Sequence, residues 1–243
     1  MKLLVTGGTG YLGSELVRRS GARGVSTRDF DVRDADAVAA ALRGYDAVVH
    51  TAYRQQPDEE AWTVNVGGSR NVARAARDAR LVHISTDVVF DGRLGRPYVE
   101  EDAPTPITGY GRTKAAAEDA VREEHPDALI VRTSLIYGGA RPSKHETAAR
   151  DPSLTFYEDE LRNPVELGDL ADALLELLAG GETGVLHVAG ADGVSRCELA
   201  GLIAGDVRCG PAPPERPLDC RLDSSRAQRL LRTRLRGVRE VLR

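Results

Sequence analysis

The chain is poor in cysteine, in aromatic residues and in unbroken apolar runs. Its three cysteines, Cys197, Cys209 and Cys220, are late, widely spaced and odd in number. Their spacing forms no metal-binding pair, and without a secretory leader they are expected as reduced thiols. No stretch approaches the roughly 18–20 apolar residues that a membrane-spanning helix needs. The start, Met1-Lys2-Leu3-Leu4-Val5-Thr6-Gly7, runs straight into sequence that reads as folded, which leaves no room for a signal peptide. A cytoplasmic location away from membranes is expected. Basic charge is also short. The 33 Lys and Arg stand against 37 Asp and Glu, a formal charge of -4, which argues against a general nucleic-acid binder. The 243 residues suit one large domain, or a large domain with a small appendage, and are enough to bury a real core.

Short β-branched runs alternate with Ala-rich helical patterns through the first two-thirds of the chain. Residues 2–6 read as a buried strand and Tyr11–Arg19 as a helix. Further strands are expected near 23–27, 47–50, 81–85 and 129–132, with helices over 34–43, about 59–79 and about 110–124 between them. This alternation predicts a doubly wound parallel sheet with helices on both faces. The near-continuous apolar strands fit a sheet covered on both sides. After Tyr137 the pattern loosens. Residues 138–153 read as a loop with a short helix, 168–178 as a helix, 185–188 as a strand and 196–204 as a helix. Residues 205–219 read as irregular, and 224–242 as one or two basic helices.

Thr6-Gly7-Gly8-Thr9-Gly10-Tyr11-Leu12-Gly13 joins the first strand to the first helix. Its glycines, Gly7, Gly10 and Gly13, follow a G-x-x-G-x-x-G spacing. Glycine lets backbone approach a pyrophosphate, and the helix N-terminus offers N–H groups and a positive dipole end. At a first strand–helix junction this spacing points to a dinucleotide. After the second strand, an acidic residue would bind the ribose hydroxyls of NAD, whereas an arginine would take the extra phosphate of NADP. The local sequence Ser26-Thr27-Arg28 favours NADP(H) over NAD(H), with Asp29 keeping NAD open.

Tyr110-Gly111-Arg112-Thr113-Lys114 carries a Y-x-x-x-K spacing, which puts both side chains on one helix face. A lysine cation beside a tyrosine lowers the phenol's pKa and makes it a better acid–base group. The preceding strand ends in Ser85-Thr86-Asp87, at the sheet edge where doubly wound proteins place ligands. Thr86 offers a hydroxyl that could hold a substrate carbonyl beside Tyr110.

The glycine turn, Ser85-Thr86-Asp87-Val88-Val89-Phe90-Asp91-Gly92 and Tyr110–Lys114 together resemble the extended short-chain dehydrogenase/reductases, and within them the dTDP-4-dehydrorhamnose reductase group. Val64-Asn65, Arg132-Thr133-Ser134 with Ile136-Tyr137-Gly138, Asn163-Pro164-Val165 and Gly184-Val185-Leu186-His187 extend the resemblance over nearly the whole chain. It implies a Rossmann-like NAD(P)-binding domain over 1–137, with parts of 164–190 returning to it. It also implies a small discontinuous substrate domain from 138–163 and 191–243. The implied triad is Thr86, Tyr110 and Lys114, with Tyr110 donating a proton as NADPH delivers hydride. Asp31 and Val32 match the adenine contact, and Thr51, Ala52 and Tyr53 the cofactor-lining turn; a turn or capping role for Asp31 stays open. Related sugar 4,6-dehydratases carry Thr-Asp-Glu where this chain has Thr86-Asp87-Val88, and valine cannot move a proton. Asp87 could bond the sugar or orient Tyr110, or could be a turn residue.

The resemblance has departures. Leu135 stands where the reductase group often has a tryptophan. Glu15 matches one carboxylate of a metal-held dimer in some relatives, but the rest have no counterpart, so no metal is expected. Arg141, Lys144, His145 and Arg150 could clamp a nucleotide diphosphate or form a solvated basic loop. Trp62 could stack on a nucleotide base but reads rather as packing on a helix face, and His83 and His187 read as structural. The reaction implied is NADPH-dependent reduction of a keto group on a nucleotide-activated 4-keto-6-deoxy sugar. An NAD-dependent sugar-nucleotide epimerase and a non-catalytic NADP-binding sensor are the alternatives. A small-molecule substrate is the expected partner, with a homodimer plausible on base rate alone.

Overall fold

The computed structural model describes residues 1–56 and 58–243. In chain order the first elements are β1 (Leu3–Thr6), α1 (Tyr11–Ser20), β2 (Arg23–Val25), α2 (Ala35–Leu42), β3 (Ala47–His50), α3 (Glu59–Trp62), α4 (Ser69–Ala75), β4 (Arg80–Thr86), α5 (Gly109–Glu124) and β5 (Leu129–Thr133). There follow β6 (Ile136–Tyr137), α6 (Lys144–Ala149), β7 (Thr155–Tyr157), β8 (Leu161–Arg162), β9 (Val165–Glu166), α7 (Leu167–Ala179), β10 (Gly184–His187), β11 (Val194–Ser195), α8 (Arg196–Ala204), β12 (Arg208–Gly210), α9 (Ser225–Leu230) and α10 (Val238–Val241). Two compact units divide the chain. One holds 1–85, 109–131 and 174–186; the other holds 86–108, 132–173 and 187–243.

The first unit is built on a six-stranded parallel sheet in the order β10-β5-β4-β3-β1-β2. The chain steps from β1 out to β2, then returns past β1 to β3 and continues the other way. That reversal is the topological switch point at which doubly wound sheets bind ligands beyond the strands' carboxyl ends. Leu4, Val48, Leu81 and Ile130 form an apolar row with Val38 and Leu42 of α2, Val72 and Ala73 of α4 and Val121 of α5. The register pairs Leu4 with Val48 and Val48 with Leu81. This face of the sheet is therefore the one covered by α2, α4 and α5.

The helix expected over 59–79 is interrupted. A π-helical stretch, Thr63–Gly68, separates α3 from α4, and α4 ends at Ala75. The cause lies in Gly67-Gly68, which weaken a regular helix, and in close packing. A Cβ on Gly68 would lie 2.6 Å from Val32 Cγ2. Trp62, at the end of α3, is 48% exposed.

The second unit is made of short pairings: β8 with β11, β7 with β12 and β6 with β9. Tyr137, Val194, Leu199 and Val238 form one core, and Ala149, Phe156 and Ala200 another. The short helix expected within 138–153 is α6, closed by a capping box between Ser143 and Glu146. Residues 205–219 are not wholly irregular, because β12 pairs there with β7. The expectation of reduced thiols is corrected for two cysteines: Cys197 of α8 and Cys209 of β12 form a disulfide, while Cys220 is free and buried. The α8–β12 connection folds back on itself and brings the two Cα atoms to 5.6 Å, within bonding reach. A Glu158 oxygen lies within 4.8 Å of both sulfurs, a grouping invisible in the linear spacing. No helix among the described residues is long and apolar enough to cross a membrane.

Candidate active site

One strand position beyond the apolar row, on the same helix-covered face, the residues become polar. Thr6 and His50 close β1 and β3, and His83, midway along the longer β4, sits in register beside them. All three are almost fully buried. His50 Nδ1 is 2.6 Å from Thr6 Oγ1, and its Nε2 is 3.1 Å from Ser69 Oγ of α4. The rings of His50 and His83 are 5.3 Å apart.

Lys114 of α5 reaches into this row. Its ammonium donates to the Ile84 carbonyl at 2.7 Å and lies 3.3 Å from His83 Nε2. An ammonium can only donate, so Nε2 must be the acceptor and the His83 proton resides on Nδ1. Burial draws the Lys114 pKa down to about 8, partly offset by Glu118. Burial, then the Lys114 charge, pushes His50 down to about 3 and His83 well below its ordinary value. Both histidines are therefore neutral at physiological pH. Glu118 follows Lys114 by one helical turn and is itself held by Ser85 at 2.6 Å and Arg122 at 2.9 Å.

Tyr110 opens the same helix, and its ring centroid is 5.8 Å from that of Tyr53. Tyr53 lies in the turn after β3, 48% exposed. That turn is tied down by Asn65, a product of the π-helical stretch. Asn65 accepts from Arg54 N at 2.8 Å and donates to Arg54 O and Thr113 Oγ1, both at 2.9 Å. It thus fastens the turn carrying Thr51, Ala52 and Tyr53 to the helix carrying Tyr110 and Lys114. π-Helical insertions often mark functional positions.

The glycine turn adjoins the same strand ends. Gly7 has φ +68°, and a Cβ there would lie 2.8 Å from Thr51 Oγ1 and Ala52 N. A Cβ on Gly13 would run into the Gly7 carbonyl oxygen. Thr51 Oγ1 donates to Thr6 O at 2.7 Å. Helix α1 begins at Tyr11, with Leu12 and Gly13 buried in its first turn; its N-cap, Gly10, supplies no side-chain acceptor, and the first turn holds no acidic residue. The helix start therefore remains electropositive, which suits a pyrophosphate.

β2 ends at Val25, earlier than expected, and the chain turns over 27–29. Asp29 folds back to accept from Ser26 N at 2.8 Å, whereas Arg28 is exposed at the turn. Asp31 is engaged by Arg33 at 3.0 and 2.9 Å, and that bond holds its carboxyl below the usual carboxylate range. Val32 packs on Gly68.

Thr86 ends β4, and it and Asp87 belong to the second unit. Thr86 Oγ1 donates to Asp87 Oδ1 at 3.3 Å. Asp87 is buried, accepts from Ser134 Oγ at 2.5 Å and lies 3.6 Å from Arg162 Nε. Burial raises its pKa, against the pull of Arg162. Arg162 also bonds Glu160 and the carbonyls of Pro217 and Leu218, so Asp87 is part of a buried ion network. His145 Nδ1 lies 3.4 Å from Arg196, while the Arg150 guanidinium folds back on the Glu146 carbonyl. Glu15 is bonded by Arg18 and Arg19 on its own helix, chiefly Arg18, which takes its pKa to about 2.

Sequence reasoning missed His50, Ser69 and the joint role of His83. The available sign was a polar residue two positions after an apolar one in each of three strands, Thr6, His50 and His83, which becomes meaningful only once the register aligns them.

The model of the family described as RmlD substrate binding domain matches residues 1–243. The chain is 36% identical to a dTDP-4-dehydrorhamnose reductase of Mycolicibacterium smegmatis, over 99% of this chain and 84% of that protein. It is 33% identical to a dTDP-4-keto-6-deoxy-D-glucose reductase of Streptomyces niveus, over 88% of this chain and 83% of that one. The crystal structure of a Bacillus anthracis dTDP-4-dehydrorhamnose reductase in complex with NADP superposes with a TM-score of 0.88 at 26% identity, covering 100% of this chain and 98% of that one.

Proposed function

The chain belongs to the family of the RmlD substrate binding domain, and on that premise we propose that it is an NADPH-dependent ketoreductase of a nucleotide-activated 4-keto-6-deoxy sugar. The observation that carries this reading is Lys114, buried, anchored at the carboxyl edge of β4 and one helical turn from Tyr110. The relatives' names support the sugar-nucleotide substrate, and the NADP complex of a relative supports the cofactor.

In this reading the electropositive start of α1, behind the Gly7–Gly13 turn, holds the cofactor pyrophosphate. Arg28 takes the 2′-phosphate, and Asp31 with Val32 borders the adenine. Thr51, Ala52 and Tyr53 line the nicotinamide side, fixed there by Asn65. Bound NADPH supplies the hydride to the carbonyl carbon. Tyr110 donates its phenolic proton to the carbonyl oxygen, and the Lys114 cation lowers the cost of the tyrosinate left behind. Thr86 holds the carbonyl oxygen before transfer. Asp87 supports Thr86 through the 3.3 Å bond and is fastened by Ser134. The second unit supplies the sugar-nucleotide contacts. Val88 offers no base for elimination, so the chemistry stops at reduction. The protein works in the cytoplasm, as a homodimer.

The test is incubation of purified protein with dTDP-4-keto-6-deoxy sugars and each reduced cofactor. Oxidation of NADPH in preference to NADH, with one equivalent of 6-deoxy sugar alcohol formed, is expected. Conversion of one sugar epimer to another without net cofactor oxidation would replace this reading with the epimerase.

A further inference from the structure

The polar row beneath Lys114 supports an assignment that rests on the ketoreductase reading and deepens it. We propose that His83 is a positioning residue. As a neutral hydrogen-bond acceptor on β4, it works with the Ile84 carbonyl to fix the direction of the Lys114 ammonium.

Strand alternation places His83 and Ser85 on the face that α5 covers, and the Ile84 carbonyl lies between them. The ammonium has three N–H groups. One goes to Ile84 O at 2.7 Å and one toward His83 Nε2 at 3.3 Å. Two fixed bonds stop the ammonium from rotating and leave its third N–H in a set direction. Positioning of this kind lowers the entropy lost on reaching the reactive geometry.

The groups around Lys114 keep His83 an acceptor. On its own helix stand Glu118, held by Ser85 and Arg122, and Arg122 itself. From β4 comes His83, and from β3 His50, which is fixed by Thr6 and Ser69. A protonated His83 would face the Lys114 cation inside a buried site, which the electrostatics forbid. His83 Nδ1 has no hydrogen-bond partner among the described residues, so no second acceptor draws the ring away from Lys114.

The test compares His83→Leu, which removes the acceptor, with His83→Gln, which retains one. The chain's lysines are Lys2, Lys114 and Lys144. Labelling their ε-carbons with 13C gives a three-signal spectrum, and Lys144→Arg assists assignment. The Lys114 signal is expected to titrate at lower pH in His83→Leu than in the unsubstituted protein and to return toward the original position in His83→Gln. NADPH-dependent turnover should show the same order. In His83→Leu, kcat falls about tenfold, the worth of one hydrogen bond to a charged group, its basic limb moves to lower pH, and KM for the ketone stays unchanged. An unmoved Lys114 titration in His83→Leu overturns the proposal, as does an equal loss in both variants, which would mean packing alone. If His83→Leu does not fold, His83→Asn, whose shorter amide falls out of reach, takes its place. The lysine titration needs no substrate. Turnover surviving in Tyr110→Phe would sink the ketoreductase reading while leaving the His83 question to the spectrum.

Discussion

In the first unit one buried cation meets neutral acceptors; in the second, buried charges meet opposite charges. Lys114 is 3% exposed and bonded to a backbone carbonyl and a neutral histidine. Arg162 is 1% exposed, lies 3.6 Å from Asp87 and 3.1 Å from Glu160, and fastens the carbonyls of residues 217 and 218. A buried cation bonded to neutral acceptors and only partly offset by a carboxylate, here Glu118, costs stability and leaves much of its field available for chemistry. A buried cation enclosed by carboxylates has its field cancelled, and removing it leaves other charges stranded. The same kind of substitution should therefore act oppositely in the two units.

Lys114→Met is expected to lower NADPH-dependent turnover by roughly 10²–10⁴-fold, the range of acid–base catalysis. It should leave thermal stability unchanged or raised, since a desolvated cation is lost. Equal losses of stability and activity would erase the contrast. Arg162→Met is expected to cost about 3–5 kcal/mol, because Asp87 is left buried without its cation and Glu160 keeps only the half-exposed Arg216. Urea unfolding measures this, and a loss under 1 kcal/mol would show that the network relaxes without it. Cys197→Ser opens a loop closed across 12 residues and should cost ~3 kcal/mol on the chain-entropy account. Intact mass with and without reductant first verifies the bond. A variant as stable as the parent under oxidising conditions would count against a stabilising role.

The smallest effect is on pH dependence. The folded-state pKa of Lys114, about 8, lies below its ordinary 10.5. Between these values the unfolded chain binds more protons than the folded one, so stability rises with pH there. Relative to Lys114→Met, the parent should gain ~2 kcal/mol between pH 8 and 10. A flat difference would mean that Lys114 titrates as an exposed lysine. Activity should move the other way, falling as the cation is lost above pH 8.

Much of this contrast was legible in the sequence, but unevenly. The glycine turn, Y-x-x-x-K and Ser85-Thr86-Asp87 are local signals, each set by adjacent residues, and the structure places them at the expected strand–helix junctions. The role of Asn65 was not legible, because it depends on a π-helical stretch that a helical pattern over 59–79 conceals. His50 and His83 looked scattered, since only register brings positions 33 residues apart into one row. The Cys197–Cys209 bond depends on how α8 and β12 fold back, which no spacing rule records. Asp31 shows another limit: its partner, Arg33, lies two residues on, yet only coordinates show that its carboxylate is engaged.

The most direct measurement of the central claim is NADPH oxidation in the presence of a dTDP-4-keto-6-deoxy sugar, comparing the parent with Tyr110→Phe. Turnover is expected in the parent and a fall of roughly 10²–10⁴-fold in the variant, with NADPH affinity largely kept. Turnover that survives the loss of the phenolic hydroxyl would contradict it.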